Sequence, residues 1–155
     1  MIVQTPLGSF ELVSDGDALV RAVFVEACST QPAADAVEQQ AARQLDEYFS
    51  GKRREFTIAC HPRGTPFQQR VWAQLERIPY GETTTYGALA RQLGNPRAAR
   101  AVGAACGRNP LWIFVPCHRV VGHHGALTGY AGGVERKRWL LHWENIWTKP
   151  RKEKE

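Results

Sequence analysis

Leu111-Trp112-Ile113-Phe114-Val115-Pro116-Cys117-His118-Arg119-Val120-Val121-Gly122 is the stretch on which the reading of this chain turns. Five consecutive apolar residues run into Pro-Cys-His-Arg, and a second apolar pair follows. An apolar run this short predicts a buried strand. Pro116 brings no backbone donor, so the strand ends there or the chain turns. A cysteine is thus expected at the end of a rigid buried element, with an imidazole on the next residue. Two readings stay open from this stretch alone: a reactive thiol held in place by its scaffold, or a structural buried cysteine beside a satisfied histidine.

Immediately upstream the helix signals are strong. Thr65-Pro66-Phe67-Gln68 has the form of a capping box with proline at the first helical position, and Phe67, Val71, Leu75 and Ile78 share one apolar face. A threonine at 83–85 caps the next helix, which runs through Leu89 and Leu93 to Gly94. Asn95 and Pro96 then start another, so Gly94-Asn95-Pro96 is both stop and start. Two short helices on a tight glycine turn resemble a helix-turn-helix. The second carries Arg97, Arg100 and Arg108 among small residues: Ala98, Ala99, Ala101, Gly103, Ala104 and Ala105. Small side chains let a backbone approach another surface closely, and a helix N-terminus favours phosphate. That surface is either DNA or the interior of the protein itself.

Downstream, His123-His124-Gly125 reads as an exposed turn, and Gly129-Tyr130-Ala131-Gly132-Gly133 as a flexible segment able to bring backbone amides close to a ligand. The last helix is expected from about 134 to 145. Glu144 follows Leu141 and Leu140 by three and four residues and so shares their face. If that face packs inward, the carboxylate needs a partner. It is then an acid able to orient His118 in a nucleophile–base–orienter arrangement.

The beginning of the chain carries no chemical motif. Phe10-Glu11-Leu12-Val13, a turn at Ser14-Asp15-Gly16-Asp17 and an apolar run over 18–25 predict a hairpin. Val37, Ala41, Leu45, Tyr48 and Phe49 predict a helix ending at Gly51, and Phe56-Thr57-Ile58 a short strand. This reads as a structural lobe.

The 155 residues, 43% hydrophobic and 23% charged, suit one domain or two small lobes sharing a core. No apolar run approaches the roughly 20 residues of a bilayer span, and the N-terminus lacks a signal pattern, so a soluble, cytoplasmic protein is expected. Cysteines 28, 60, 106 and 117 form no CxxC pair and are expected reduced; Cys60-His61 has no second half with metal-ligand spacing. The net charge of +5 favours a polyanionic partner without deciding for one.

Taken together, five blocks resemble the O6-alkylguanine-DNA alkyltransferase family. They are Phe67-Gln68-Gln69-Arg70-Val71-Trp72, Ile78-Pro79-Tyr80-Gly81-Glu82-Thr83, the segment from Gly94-Asn95-Pro96-Arg97 to Gly103, Val115-Pro116-Cys117-His118-Arg119-Val120, and Gly129-Tyr130-Ala131-Gly132-Gly133. The resemblance implies an α/β + α fold: a ribonuclease-H-like N-terminal lobe (1–60) and a winged helix-turn-helix-like C-terminal lobe (65–147), with a disordered tail at 148–155. It implies that Cys117 takes an alkyl group from O6 of guanine, and less well from O4 of thymine, once per molecule and without cofactor or metal. The partner is double-stranded DNA, held by a monomer that is nucleoid-associated when on DNA.

By the same resemblance His118, through a bridging water, helps deprotonate Cys117 while Glu144 fixes the imidazole. Asn109 holds the turns of the site together. Tyr86 bonds the guanine and crowds its 3′ phosphate. The carbonyls of Cys117 and Val120 accept from the guanine amino group, the amide of Ala131 donates to O6, and Tyr130 belongs to the same base pocket. Arg100 enters the base stack in place of the flipped nucleotide. Arg97, Ala98, Ala101 and Gly103 face the minor groove. Two positions depart from the family pattern: Ala131 stands where serine is frequent, and Trp143-Glu144-Asn145 replaces His-Glu-Gly. A lesion-binding relative that does not transfer, and a cysteine hydrolase using Cys117, His118 and Glu144, are the competing readings.

Overall fold

Alternation decides the first sheet. In the strand Gly8–Ser14 (β2), Phe10 and Leu12 are fully buried while their neighbours are partly exposed. β2 pairs antiparallel with Ile2–Thr5 (β1) on one side and Leu19–Phe24 (β3) on the other, and Phe10 lies opposite Phe24. Their rings meet edge to face at 4.7 Å. Between β2 and β3 Asp15 Oδ1 accepts from the amides of Asp17 and Ala18, and Gly16 takes a φ of +101°. The structure, a computed structural model, describes residues 1–26 and 33–148. Cys28 therefore lies outside the described residues, as does all of the expected tail except Thr148, which ends the last helix.

The chain divides into two compact units. The first comprises residues 1–63 and returns for 110–114; the second comprises 64–109 and 115–155. In the first, helix Ala36–Phe49 (α1) is capped by Asp35, whose side chain accepts from the amide of Glu38, and buries Ala41, Leu45 and Tyr48. The strand expected at 56–58 does not form. Its place is taken by one parallel bridge between Leu19 and Cys60, because the Thr57 amide bonds the Gln44 side chain instead of a strand.

The strand expected over 111–115 is also absent. Leu111 makes a single bridge to Ala22, and the chain then turns, with the Phe114 amide donating to the Trp112 carbonyl and Ile113 at a φ of +73°. The apolar run is buried as expected, with Leu111, Ile113, Phe114 and Val115 all inside. Burial came from a tight turn, which apolar content alone does not distinguish from a strand. After Phe114 the chain passes into the second unit.

The second unit opens with helix Pro66–Leu75 (α2), whose capping box is complete: Thr65 accepts from the Gln68 amide and the Gln68 side chain accepts from the Thr65 amide. Trp72 Nε1 donates to the Ala105 carbonyl at 2.9 Å and so ties α2 to a later helix. A Cβ on Gly64 would sit 2.5 Å from the Trp72 ring, so glycine is required there. Thr85 caps helix Tyr86–Gln92 (α3). The next helix, Ala99–Gly107 (α4), starts later than Asn95-Pro96 predicted. Asn95 to Arg97 form a turn in which the Asn95 carbonyl accepts from the Ala98 amide, and Ala98 is the cap without a side-chain bond. Thr84–Thr85 (β4) pairs in parallel with Val120–Val121 (β5), and helix Val134–Thr148 (α5) closes the unit.

Candidate active site

Cys117, His118 and Arg119 occupy a single 3-10 turn between Pro116 and β5. The Cys117 amide donates to the Val115 carbonyl and the Arg119 amide to that of Pro116. Three consecutive polar or nucleophilic side chains are thereby buried, with exposures of 4%, 0% and 6%. Burial on this scale requires partners. Asn109 Nδ2, itself buried, donates to the Val115 carbonyl at 2.8 Å and to Cys117 Sγ at 3.2 Å. One amide group thus fixes both the turn and the sulfur.

Glu144 reaches the same turn from α5. Its Oε2 accepts from His118 Nε2 at 2.8 Å and from Arg119 Nη2 at 3.0 Å, and its Oε1 accepts from Arg119 Nε at 2.8 Å. The Gly81 amide adds a bond of 3.3 Å, and Arg119 Nη1 donates to the Ile78 carbonyl at 2.7 Å. Burial alone would raise the Glu144 pKa, but the bonded His118 and Arg119 outweigh it and hold the carboxyl well below the usual range. The carboxylate is ionised and can only accept, so the His118 proton sits on Nε2. Burial also lowers the His118 pKa, with Glu144 opposing. The imidazole is therefore neutral, and its Nδ1, buried without a protein partner, carries the free lone pair.

Burial pushes the Cys117 thiol up to about 11, against the Asn109 bond and the field of Lys137. At that value about one molecule in ten thousand is a thiolate at pH 7. The resting sulfur is held as the thiol, and a base that takes its proton supplies the nucleophile.

Cys117 opens onto a cavity of about 530 Å³ lined by Tyr86 from α3, by Ala99, Arg100, Gly103, Cys106 and Gly107 from α4, and by Thr128 to Ala131. The structure thus brings Tyr86, Arg100, Gly103, Cys117, Tyr130 and Ala131 to one cavity wall. Thr128 Oγ1 lies 3.5 Å from the Tyr86 hydroxyl. Val120 is buried in β5 and is not part of the lining. Arg97 and Ala101 are exposed outside the cavity. Ala98 is 8% exposed, so the small residue assigned to the groove face is instead packed inside, where the late start of α4 puts it.

Three side chains escaped the sequence reading. Arg119 is the bidentate partner of Glu144, and nothing in its spacing announces that. Cys106, on the cavity face of α4, is buried and its pKa is pushed up to about 12 by burial and then by Cys117. Lys137 is fully buried. Its signal was present, since Lys137, Leu140 and Glu144 fall on one face of α5. Among the described residues no three His, Cys, Asp or Glu side chains group as they would around a metal ion. No helix there is long and apolar enough to cross a membrane.

A thiol, a neutral imidazole and a carboxylate clamp beside a cavity walled by an arginine-bearing helix define a cysteine-nucleophile site. Family comparison says of which kind. Residues 66–146 match the DNA-binding domain of 6-O-methylguanine DNA methyltransferase, and residues 2–62 match its ribonuclease-like domain. A methylated-DNA–protein-cysteine methyltransferase of Methanosarcina acetivorans is 45% identical over 149 residues, covering 92% of this chain and 96% of that one. One from Mycobacterium tuberculosis is 59% identical over 101 residues, covering 65% and 61%. The crystal structure of M. tuberculosis OGT in complex with DNA is similar with a TM-score of 0.86 at 47% identity, covering 94% of this chain and 92% of that one. The chain belongs to the methylated-DNA–protein-cysteine methyltransferase family.

Proposed function

We infer that this protein repairs O6-alkylguanine in duplex DNA by moving the alkyl group to Cys117. The observation that carries the reading is Cys117 Sγ on the cavity wall, held by Asn109, on the same turn as a neutral His118 that is clamped by Glu144 with Arg119. His118 Nδ1 receives the thiol proton, in this family through a water. The sulfur then attacks the alkyl carbon; the S–C bond forms as the C–O6 bond breaks, and guanine departs with the electron pair and takes up a proton. The product is a neutral thioether that water does not hydrolyse, so each molecule acts once. No cofactor enters this sequence.

Access to the lesion requires the nucleotide to leave the helix, at a cost of a few kcal/mol in unstacking. Arg100 fills the gap, a role supported by its exposure on α4 at the cavity edge. Tyr86 faces the base, while the main chain of Cys117, Val120 and Ala131 reads the guanine edge and the alkylated oxygen. Arg97 and Ala101 meet the minor groove. O4-alkylthymine fits the same chemistry less well. The protein acts as a cytoplasmic monomer, nucleoid-associated when on DNA, built from a ribonuclease-H-like lobe over 1–60 and a DNA-reading lobe over 65–147.

Intact-mass analysis after incubation with an O6-methylguanine duplex tests this directly. One added methyl, mapped to Cys117 and without turnover, is expected. Lesion binding with no mass gain favours a binder that does not transfer; repeated release of a hydrolysed product favours a hydrolase.

A further inference from the structure

The buried side chain that this mechanism does not use is Lys137. It projects from α5 with no solvent exposure. Its one hydrogen bond runs from Nζ to the Thr128 carbonyl at 3.0 Å, and Nζ stands 5.9 Å from the centre of the Tyr86 ring. Among the described residues no carboxylate pairs with it. A buried ammonium without a counter-ion is costly, and a fold keeps one only where something compensates it. Thr128, Tyr86, Cys106 and Cys117 all line the one cavity, so Lys137 lies directly behind its wall.

We propose that Lys137 is a positioning residue for the alkyl transfer. Its ammonium, tied through Thr128 to the outer wall of the cavity, is the counter-charge of the Cys117 thiolate as that anion forms. The inference rests on the alkyl-transfer reading above and deepens it. Lys137 keeps its own proton throughout; the thiol proton goes to His118, and the ammonium lowers the free energy of the anion left behind.

The charges around it are consistent with that role. Cys117 and His118 of the 3-10 turn and Cys106 of α4 are the titratable groups its charge acts on, the Tyr86 ring of α3 lies beside it, and Arg136 precedes it on its own helix. Arg119 and His118 already engage Glu144. Burial lowers the Lys137 pKa, and the two sulfurs, Cys117 before Cys106, oppose that fall. Lys137 in turn lowers both thiols.

The test follows the reaction of Cys117 with iodoacetamide across pH by mass, with no DNA present, beside methyl transfer from a lesion duplex. Lys137→Met is expected to raise the apparent Cys117 pKa by about one unit or more and to slow both reactions about tenfold at neutral pH. Lys137→Arg, which keeps the charge, is expected to return part of the shift. A merely structural role would slow transfer without moving the pH profile, and that outcome overturns the proposal, as does a wild-type rate in Lys137→Met.

Should Lys137→Met not fold, Lys137→Gln takes its place, since it keeps a polar head for the Thr128 carbonyl but carries no charge. It is expected to raise the apparent Cys117 pKa in the same way. A Cys117 pH profile left where it is in wild type refutes the proposal. Wild-type protein that gains no methyl from the lesion duplex sinks the functional reading instead, whatever the lysine does.

Discussion

In the first unit Gln44 is the buried polar side chain among the described residues, and it bonds the side chain and amide of Thr57. In the second, Asn109, His118, Arg119, Lys137 and Glu144 are all buried. Other polar groups of the first unit lie nearer the surface, as at the turn and cap where Asp15 and Asp35 satisfy backbone amides. An amide pair such as Gln44 with Thr57 is neutral and complete, so it specifies packing and nothing more. The second unit instead encloses ionised groups and a thiol that bonding leaves incompletely compensated. Buried groups with shifted pKa values concentrate at functional sites, and here they gather around a thiol on a cavity wall. The contrast separates a scaffold from a reactive centre without reference to any relative.

The comparison breaks most sharply at Cys117. Replacing it with serine keeps the size but removes the competent nucleophile, so methyl transfer is expected to vanish while affinity for a lesion duplex stays near that of wild type. Intact mass and a fluorescence-anisotropy titration read the two properties. A Cys117→Ser protein that still gains a methyl would place the acceptor elsewhere.

Glu144→Gln is expected to come next. Without the carboxylate the imidazole loses its tautomer control, and transfer should fall about a hundredfold or more. Arg119 is left buried without a counter-charge, a loss of about 3–5 kcal/mol. The pH dependence carries a sign that can be checked. The folded Glu144 pKa lies below its ordinary 4.5, so its stabilisation is present above that value and is lost as pH falls through the folded value. The folded His118 pKa lies below its ordinary 6.5, so the unfolded chain takes up that proton first as pH falls. In both cases the unfolded state binds more protons, and stability declines from about 6.5 downward and further below 4.5. Urea melts at stepped pH should show both limbs in wild type and lose the lower one in Glu144→Gln.

Arg100→Ala tests access rather than chemistry. Transfer from a lesion duplex is expected to slow about tenfold or more, while a single-stranded lesion, which needs no unstacking, reacts at close to the wild-type rate. Equal slowing on both substrates would remove Arg100 from the extrusion step.

How much of this was legible in the sequence depends on how local the cause is. The capping box at Thr65 and Gln68 was readable because its donors and acceptors lie within four residues. Glu144 was readable as buried from the face it shares with Leu140, and His118 from its place beside Cys117. The run over 111–115 misled because apolar content reports burial but not backbone shape; only the structure shows Ile113 at positive φ. Pro96 misled in the same way, since its fixed φ suits a turn as well as a first helical turn, and α4 begins at Ala99. Arg119 and Lys137 were passed over because charged residues are usually exposed. Their burial depends on Glu144, 25 residues beyond Arg119, and on a carbonyl at Thr128 that no spacing rule connects to Lys137.

The smallest expected effect on chemistry falls in the first unit and is informative for that reason. Gln44→Ala removes two hydrogen bonds and leaves the Thr57 amide and hydroxyl without that partner, so stability is expected to fall by about 1–3 kcal/mol. The rate of methyl transfer, measured well below the melting temperature, should not change, because neither Gln44 nor Thr57 belongs to the unit that holds Cys117. The pairing of a clear thermal shift with an unchanged single-turnover rate would mark this buried polar group as purely structural. A rate that falls while the folded population stays full would mean that the first unit tunes the reaction, and the division into scaffold and reactive centre would have to be withdrawn.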